Sequence, residues 1–324
     1  QATFEENLPE PAASEPTVPT EAAPPTEMPE ERTTLSEGGP WLLIPSNEGL
    51  WVSNDDGSAL KQITTTPVMS PAEAITGTAP GGYFAFVTAD SYEYLENISL
   101  MLLKLPEGSL KRITLLAPSG TKMPEAPEVC EPNFEAMRAL TVGNSLAWSP
   151  DGKTLAYIAM TAGGTADLYT YSMETEKITQ LSDGSSQAFE PSWSPDGEYI
   201  LQYGASCFGT GAGFAMTGAW ASAADGSDTQ KLYTFSVQDT EYEYVVGWYP
   251  PATAVMASGF GCQASNVRTR DIYSDKEIKI YPGCASKAVL APDGTVGVLT
   301  SDYMGDKPGL FLFTPQGQEI AYNA

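Results

Sequence analysis

Ala147-Trp148-Ser149-Pro150-Asp151-Gly152 (AWSPDG) and Ser192-Trp193-Ser194-Pro195-Asp196-Gly197 (SWSPDG) are near copies, and Ala291-Pro292-Asp293-Gly294 (APDG) is an eroded third. The spacing from Asp151 to Asp196 is 45 positions, and from Asp196 to Asp293 it is 97, about two further units of that size. This is the period of four-stranded sheet units set in tandem. In the Trp-Ser-Pro-Asp-Gly box the aromatic ends a buried strand and Pro presets φ for a turn. Asp bonds its own backbone, and Gly accepts the positive φ that reverses the chain. An apolar, β-rich run follows each time: TLAYIAM from Thr154, YILQYG from Tyr199 and TVGVLT from Thr295. These runs read as the second arm of a hairpin.

A second recurrence agrees with the first. Lys61-Gln62-Ile63-Thr64, Lys111-Arg112-Ile113-Thr114 and Lys177-Ile178-Thr179-Gln180 each open an outer strand. The first unit then reads as a short strand ending at Gly38-Gly39, followed by 41–45, 50–53 and 60–64. The second begins at a degenerate box, Ala79-Pro80-Gly81-Gly82. An insertion rich in Pro and Glu fills 116–144, with Cys130 and a helical turn or two over 133–140. Further units span 145–181, 188–235, 244–281 and 287–322, which makes six.

The box and its period resemble the TolB-like propeller repeat, also seen in propeller domains of the prolyl oligopeptidase family, over roughly residues 37–324. The resemblance implies an all-β, six-bladed β-propeller of four-stranded antiparallel blades, and TolB implies contacts with other proteins. A ring of this kind must join its ends. The segment 32–39 is expected to lie beside 309–313 or to complete its own blade.

Residues 1–36 are dominated by Pro, Glu, Thr and Ala, with Arg32 as their only base. Such a stretch buries too little apolar surface to offset its ordering entropy, so it reads as an extended acidic tail. It becomes ordered by lying on a partner, and residues 1–30 are expected to dock on a neighbouring copy.

The chain carries 41 acidic and 16 basic residues, a formal charge of −25. Nucleic acid and anionic membrane surfaces are therefore repelled, while cations and basic proteins are attracted. No apolar run approaches the ~18–20 residues of a membrane span. The chain starts at Gln1, as an exported product would after removal of a leader, so an extracytoplasmic (secreted or cell-surface) location is expected. There is no histidine. Ser-His-Asp and Cys-His arrangements are thereby excluded within this sequence.

Cys130, Cys207, Cys262 and Cys284 read as two disulfides of an exported protein. Three pairings exist. Loop placement favours Cys130 with Cys207, pinning the insertion, and Cys262 with Cys284. A four-thiolate metal site lacks the C-x-x-C knuckle that would support it.

Other candidates compete with plainer readings. Asp55 with Asp56, Asp225 with Asp228, and Asp302 with Asp306 could ligate calcium, yet each reads first as a turn acid. Gly209-Thr210-Gly211-Ala212-Gly213 lacks the Lys and helix of a phosphate loop. Trp220, Tyr242, Tyr244 and Trp248 could form a sugar- or protein-binding platform or simply fill the core. Asn97-Ile98-Ser99 fits a glycosylation acceptor. No feature selects a catalytic carboxylate pair.

The reading that results is a non-catalytic, exported protein-binding and assembly module without a cofactor, calcium apart. The alternatives are a receptor or polysaccharide-binding protein on a stalk, and a carbohydrate-active enzyme working without histidine at the mouth of the ring.

Overall fold

The computed structural model describes residues 34–321, apart from 70–74, 78–80, 92, 124–127, 129, 142–143, 161–163, 185, 209–213, 235–241, 261 and 302–307. Within them, antiparallel strands form six sheets that follow one another along the chain. Sheet 1 holds β1 (Trp41–Ser46), β2 (Gly49–Asn54) and β3 (Lys61–Thr64). Sheet 2 holds β4 (Thr76–Gly77), β5 (Tyr83–Thr88), β6 (Ser99–Lys104) and β7 (Ser109–Leu115). A helix, α1 (Pro132–Ala139), lies in the insertion before sheet 3. That sheet is β8 (Leu146–Trp148), β9 (Thr154–Met160), β10 (Ala166–Ser172) and β11 (Ile178–Gln180). Sheet 4 is β12 (Gln187–Trp193), β13 (Tyr199–Phe208), β14 (Phe214–Ala223) and β15 (Thr229–Thr234). Sheet 5 is β16 (Tyr242–Tyr249), β17 (Thr253–Phe260), β18 (Cys262–Asp271) and β19 (Glu277–Ala285). Sheet 6 is β20 (Lys287–Leu290), β21 (Val296–Thr300) and β22 (Gly309–Phe313).

The boxes fold as their chemistry dictates. In the first, the Ser149 hydroxyl donates to Asp151 Oδ1 (2.7 Å) and accepts from Thr154 N (3.0 Å), while Asp151 Oδ1 also accepts from Lys153 N (3.0 Å). Gly152 closes the turn onto Ser149 O at φ +69°. The second box repeats these bonds with Ser194, Asp196, Glu198 and Tyr199, at 2.6 to 3.1 Å. In the third, Ala291 stands where the serine would be. Only the Asp293 contact to Thr295 N (2.9 Å) and the Gly294 turn survive.

Two sheets depart from the expectation of four strands throughout. Among the described residues sheet 1 has three strands and none before β1, since β3 is the KQIT strand that matches the outermost β7 of sheet 2. Among the described residues 34–39 no strand ends at Gly38-Gly39. Ser36 N is committed to Asn54 Oδ1 (2.8 Å), Asn54 Nδ2 donates to Thr34 O (3.2 Å), and Trp41 Nε1 donates to Ser36 O (3.0 Å). Gly39 at φ +72° then turns the chain, and Pro40 has no N–H to offer a ladder. Residues 34–36 are thus tethered by the Asn54 side chain at the end of β2, and among the described residues no strand pairing joins them to β22. Sheet 6 shows three strands plus one bridge, Phe313 to Glu319, where the chain turns back after β22.

Four buried clusters knit the sheets together: one shared by sheets 1 and 2, one by sheets 2 to 4 with α1, one by 4 and 5, and one by 5 and 6. The box tryptophans stitch the same junctions. Trp148 Nε1 donates to Thr76 O (3.2 Å), Trp193 Nε1 to Ala147 O (2.9 Å) and Trp248 Nε1 to Ser192 Oγ (3.1 Å). Ala147 and Ser192 each directly precede the tryptophan of the earlier sheet. At the last junction Leu290 takes the tryptophan's place. Its side chain lies over Gly247, where an added Cβ would come within 3.1 Å of it.

Candidate functional site: a cleft between sheets 3 and 4

The insertion is fastened to sheet 4 at several points. Cys130 and Cys207 form a disulfide with a Cα–Cα distance of 4.9 Å. Glu131 caps α1 by accepting from Phe134 N (2.7 Å), with Pro132 in the first turn. Glu135, 1% exposed, accepts from Phe208 N (2.6 Å), and Arg138 donates to Phe208 O. Ala136, Met137, Ala139 and Leu140 are fully buried beneath the helix. The expected helical turn is therefore a capped helix, locked to the end of β13.

Beside it, a cleft of about 280 Å³ opens between sheets 3 and 4. Its wall on sheet 3 is organised by Asp167, 1% exposed, whose carboxylate accepts from Ser182 Oγ (2.9 Å), Thr165 Oγ1 (2.9 Å) and Gly184 N (3.0 Å). Burial pushes the Asp167 carboxyl above the ordinary carboxylate range, and those three donors only partly offset it. The opposite wall carries Gln202, Tyr203, Gly204 and Trp220. Gln187, between the lining residues Ser186 and Ala188, reaches Pro132 O at the start of α1 (3.4 Å) and accepts from Ala166 N (2.7 Å).

Glycine makes this recess possible. A Cβ on Gly204 would sit 2.6 Å from Ser186 Oγ and 2.7 Å from both Thr217 Oγ1 and Trp220 Cζ3. On Gly218, at φ +154°, it would meet the backbone of Tyr233 at 2.4 Å and the Trp220 ring at 3.2 Å. The indole can therefore approach the sheet closely.

Glu190 is a second residue that sequence reading did not single out. It sits at a bulge in β12 with φ +50°, and burial pushes its carboxyl up. Pro191, which cannot donate to a ladder, was the available signal. Asp167, Gln202 and Thr217 carried no local signal, since only the fold brings them together.

The sequence candidates are dispersed. Asp56 Oδ1 accepts from Ser58 N (2.9 Å), and Asp225 Oδ1 from Ser227 N (2.8 Å). Asp228 Oδ2 accepts from Gln230 Nε2 (3.3 Å). Asp55 with Asp56 and Asp225 with Asp228 stand in separate turns of sheets 1 and 4. Among the described residues no group of three His, Cys, Asp or Glu could hold a metal ion. Asp302, Asp306, the 209–213 loop and residues 1–33 lie outside the described residues. Cys284 is disulfide-bonded, and the Cys262 side chain lies outside the description. Asn97, at φ +54°, donates from Nδ2 to Asp90 Oδ2 (2.7 Å). Of the aromatic candidates, Trp220 lines the cleft, Trp248 faces sheet 4 and Tyr244 packs toward sheet 6, so these three do not share one surface, and the Tyr242 side chain lies outside the described residues. Among the described residues no helix is long and apolar enough to cross a membrane.

No family model matches the chain. Over 54 residues, 17% of the chain, it is 48% identical to the uncharacterized peptidase YuxL of Bacillus subtilis. Over 56 residues, also 17%, it is 34% identical to the Tol-Pal system protein TolB of Alcanivorax borkumensis. The matched segments span 8% and 13% of those two proteins. A solved oligogalacturonate lyase in complex with manganese shares the fold over 89% of this chain and 75% of its own, with a TM-score of 0.53 and 13% identity. These findings correct the expectation that the chain is not an enzyme. That expectation rested on missing histidine and on turn acids, yet a 54-residue stretch of the chain matches a protein named as a peptidase, and the fold recurs in a lyase. A propeller frame of this kind is compatible with catalysis and with binding alike.

Proposed function

We propose that this chain, whose WSPDG repeat resembles that of TolB-like β-propellers, is an extracytoplasmic protein-binding module working through the face that bears α1. The observation that carries this reading is the fastening of the 116–144 insertion. A disulfide, a buried carboxylate and an arginine hold one helix rigidly beside an open cleft, which is how a recognition surface is preorganised. Disulfides persist in oxidising compartments, which supports the location.

The same reading takes the six sheets as the six blades of one ring, with sheet 6 meeting sheet 1. Leu42 and Ile44 on β1 are each 46% exposed, and Val289, Leu299 and Leu310 on sheet 6 are 42% to 47% exposed; each set forms an apolar face fit to cover the other. In this reading residues 1–36 form the acidic strap, and residues 1–30 dock on a neighbouring copy. Cross-linking and electron microscopy of the full chain, with and without residues 1–30, test it. Loss of assemblies on truncation supports the strap; unchanged assemblies overturn it.

A second reading follows from the 54-residue match to a peptidase. Here the propeller serves an enzyme, with Glu190 at the β12 bulge as the acid to examine. Peptide and oligogalacturonide cleavage by the wild type and by Glu190→Gln decides. Turnover lost in the variant supports this reading, and no turnover of either substrate removes it.

A further inference from the structure

The cleft between sheets 3 and 4 holds a set of groups that the fold alone does not use. Gln202 is 5% exposed, and its Oε1 has no hydrogen-bond partner among the described residues. The Thr217 Oγ1 atom is likewise buried and has no partner among the described residues. A buried acceptor left unmade costs about 1–3 kcal/mol, so two beside one recess are a strong departure from ordinary packing. Both adjoin Gly204: Gln202 is two residues before it on β13, and Thr217 Oγ1 stands over its Cα together with Ser186 Oγ and the Trp220 ring.

The recess is acceptor-rich and anionic. Asp167 and Asp183 line it, no lysine or arginine does, and the whole chain carries a net charge of −25. An anionic ligand would meet two carboxylates with no counter-charge. A neutral sugar would find hydroxyl partners but leave the carboxylates uncompensated. A donor-bearing cation on a slender stem satisfies every feature: hydrogen bonds to the unpartnered oxygens, charge opposite Asp167 and Asp183, and the indole of Trp220 for cation–π contact. Arginine fits better than lysine, because its planar fork can address several acceptors and stack on the ring at once.

We propose that this cleft receives the guanidinium side chain of a protein partner, inserted between sheets 3 and 4 beside α1. The proposal rests on the protein-binding reading above and names the chemistry of the residue recognised. Asp167 orients the 182–184 wall and supplies charge, Gln202 accepts a hydrogen bond, and Trp220 covers the guanidinium plane.

The test uses the full chain and small probes, so it does not depend on finding the partner. An acetylated, amidated Gly-Arg-Gly peptide is titrated against the protein while tryptophan fluorescence and chemical shifts are followed. The matched citrulline peptide removes the charge at nearly constant shape, and N-acetylglucosamine represents a sugar. The expected result is saturable binding of the arginine peptide, at least tenfold weaker for citrulline, and weakened by 0.5 M salt. Trp220→Phe should abolish most of the fluorescence response, and Gln202→Leu should weaken binding at least fivefold. Because Asp167→Asn could disturb the loop it holds, Asp183→Asn serves as the second charge variant and should weaken binding while the melting temperature stays put. Equal binding of citrulline, preference for the sugar, or an unchanged response in Trp220→Phe overturns the proposal. If no arginine binding occurs but assemblies still respond to removal of residues 1–30, only the cleft assignment falls.

Discussion

The junction between sheets 3 and 4 and the two outer faces of the array are made from the same repeating unit and end in opposite states. At the junction, Trp193 donates to Ala147, and Leu155, Tyr157, Ile158 and Ala188 are all buried. At the ends, Leu42 and Ile44 of sheet 1 and Val289, Leu299 and Leu310 of sheet 6 stay between 42% and 47% exposed. The difference lies in what each unit has beside it. A box tryptophan needs an earlier inner strand to donate to, and among the described residues sheet 1 has no such strand. Sheet 6 keeps only Leu290 in the tryptophan position. The junctions of sheets 2–3, 3–4 and 4–5 are therefore specified by indole hydrogen bonds as well as burial, while the two end faces present exposed apolar area.

The largest expected effect is at the interior. Trp193→Ala removes both the clasp and the packing and should cost about 3 kcal/mol, read by urea denaturation. Leu290→Ala, at the junction without an indole bond, should cost clearly less. A smaller cost at Trp193 than at Leu290 would break the contrast drawn here. Next comes the pinned insertion. Replacing Cys130 and Cys207 together by serine should lower stability by about 2–4 kcal/mol. Hydrogen exchange should then show α1 amides opening ahead of sheet 3. Third are the end faces. Ile44→Lys or Leu299→Lys should cost about 1–2 kcal/mol if the faces meet as a seam, because each places a charge against buried apolar surface. Stability equal to that of the wild type would show the array to be open.

The smallest effect concerns the boxes and pH. The Ser149 hydroxyl and the Lys153 amide hold Asp151 below the usual carboxylate range. For Asp196, partial burial pushes upward, but bonds from Ser194 and from the Tyr273 hydroxyl (2.7 Å) of the next sheet outweigh it. A carboxyl lowered in the folded state stabilises the fold above its unfolded value, about 4. That contribution disappears as pH falls through the folded value. Tyr273→Phe should therefore remove well under 1 kcal/mol at neutral pH and flatten the acid side of the stability profile. An acid limb identical to that of the wild type would remove Asp196 from this account.

The architecture was legible because its signal is local. A Ser-Pro-Asp-Gly turn bonds to itself within six residues, so each copy declares itself wherever it stands. Strand number at the array's start was not legible for the same reason in reverse. Asn54 captures Thr34 and Ser36 from about twenty positions away, and a side chain tether of that kind has no periodicity. The cleft was hidden more thoroughly. Gly204 and Gly218 read as weak points in apolar strands, and Gln202 as a stray polar residue. Only their registration across β13 and β14, opposite Asp167 of another sheet, turns them into a recess. Trp220 was noticed, but grouped with aromatics that the fold sends elsewhere.

The indole clasps also have a direction. Each runs from a later sheet back to an earlier one, never forward, so every anchoring point lies in sequence that has already emerged when its tryptophan arrives. A chain threaded through a translocation pore from its amino end could thus dock each new module onto finished work, like courses of brick laid on set mortar, without waiting for its carboxyl end.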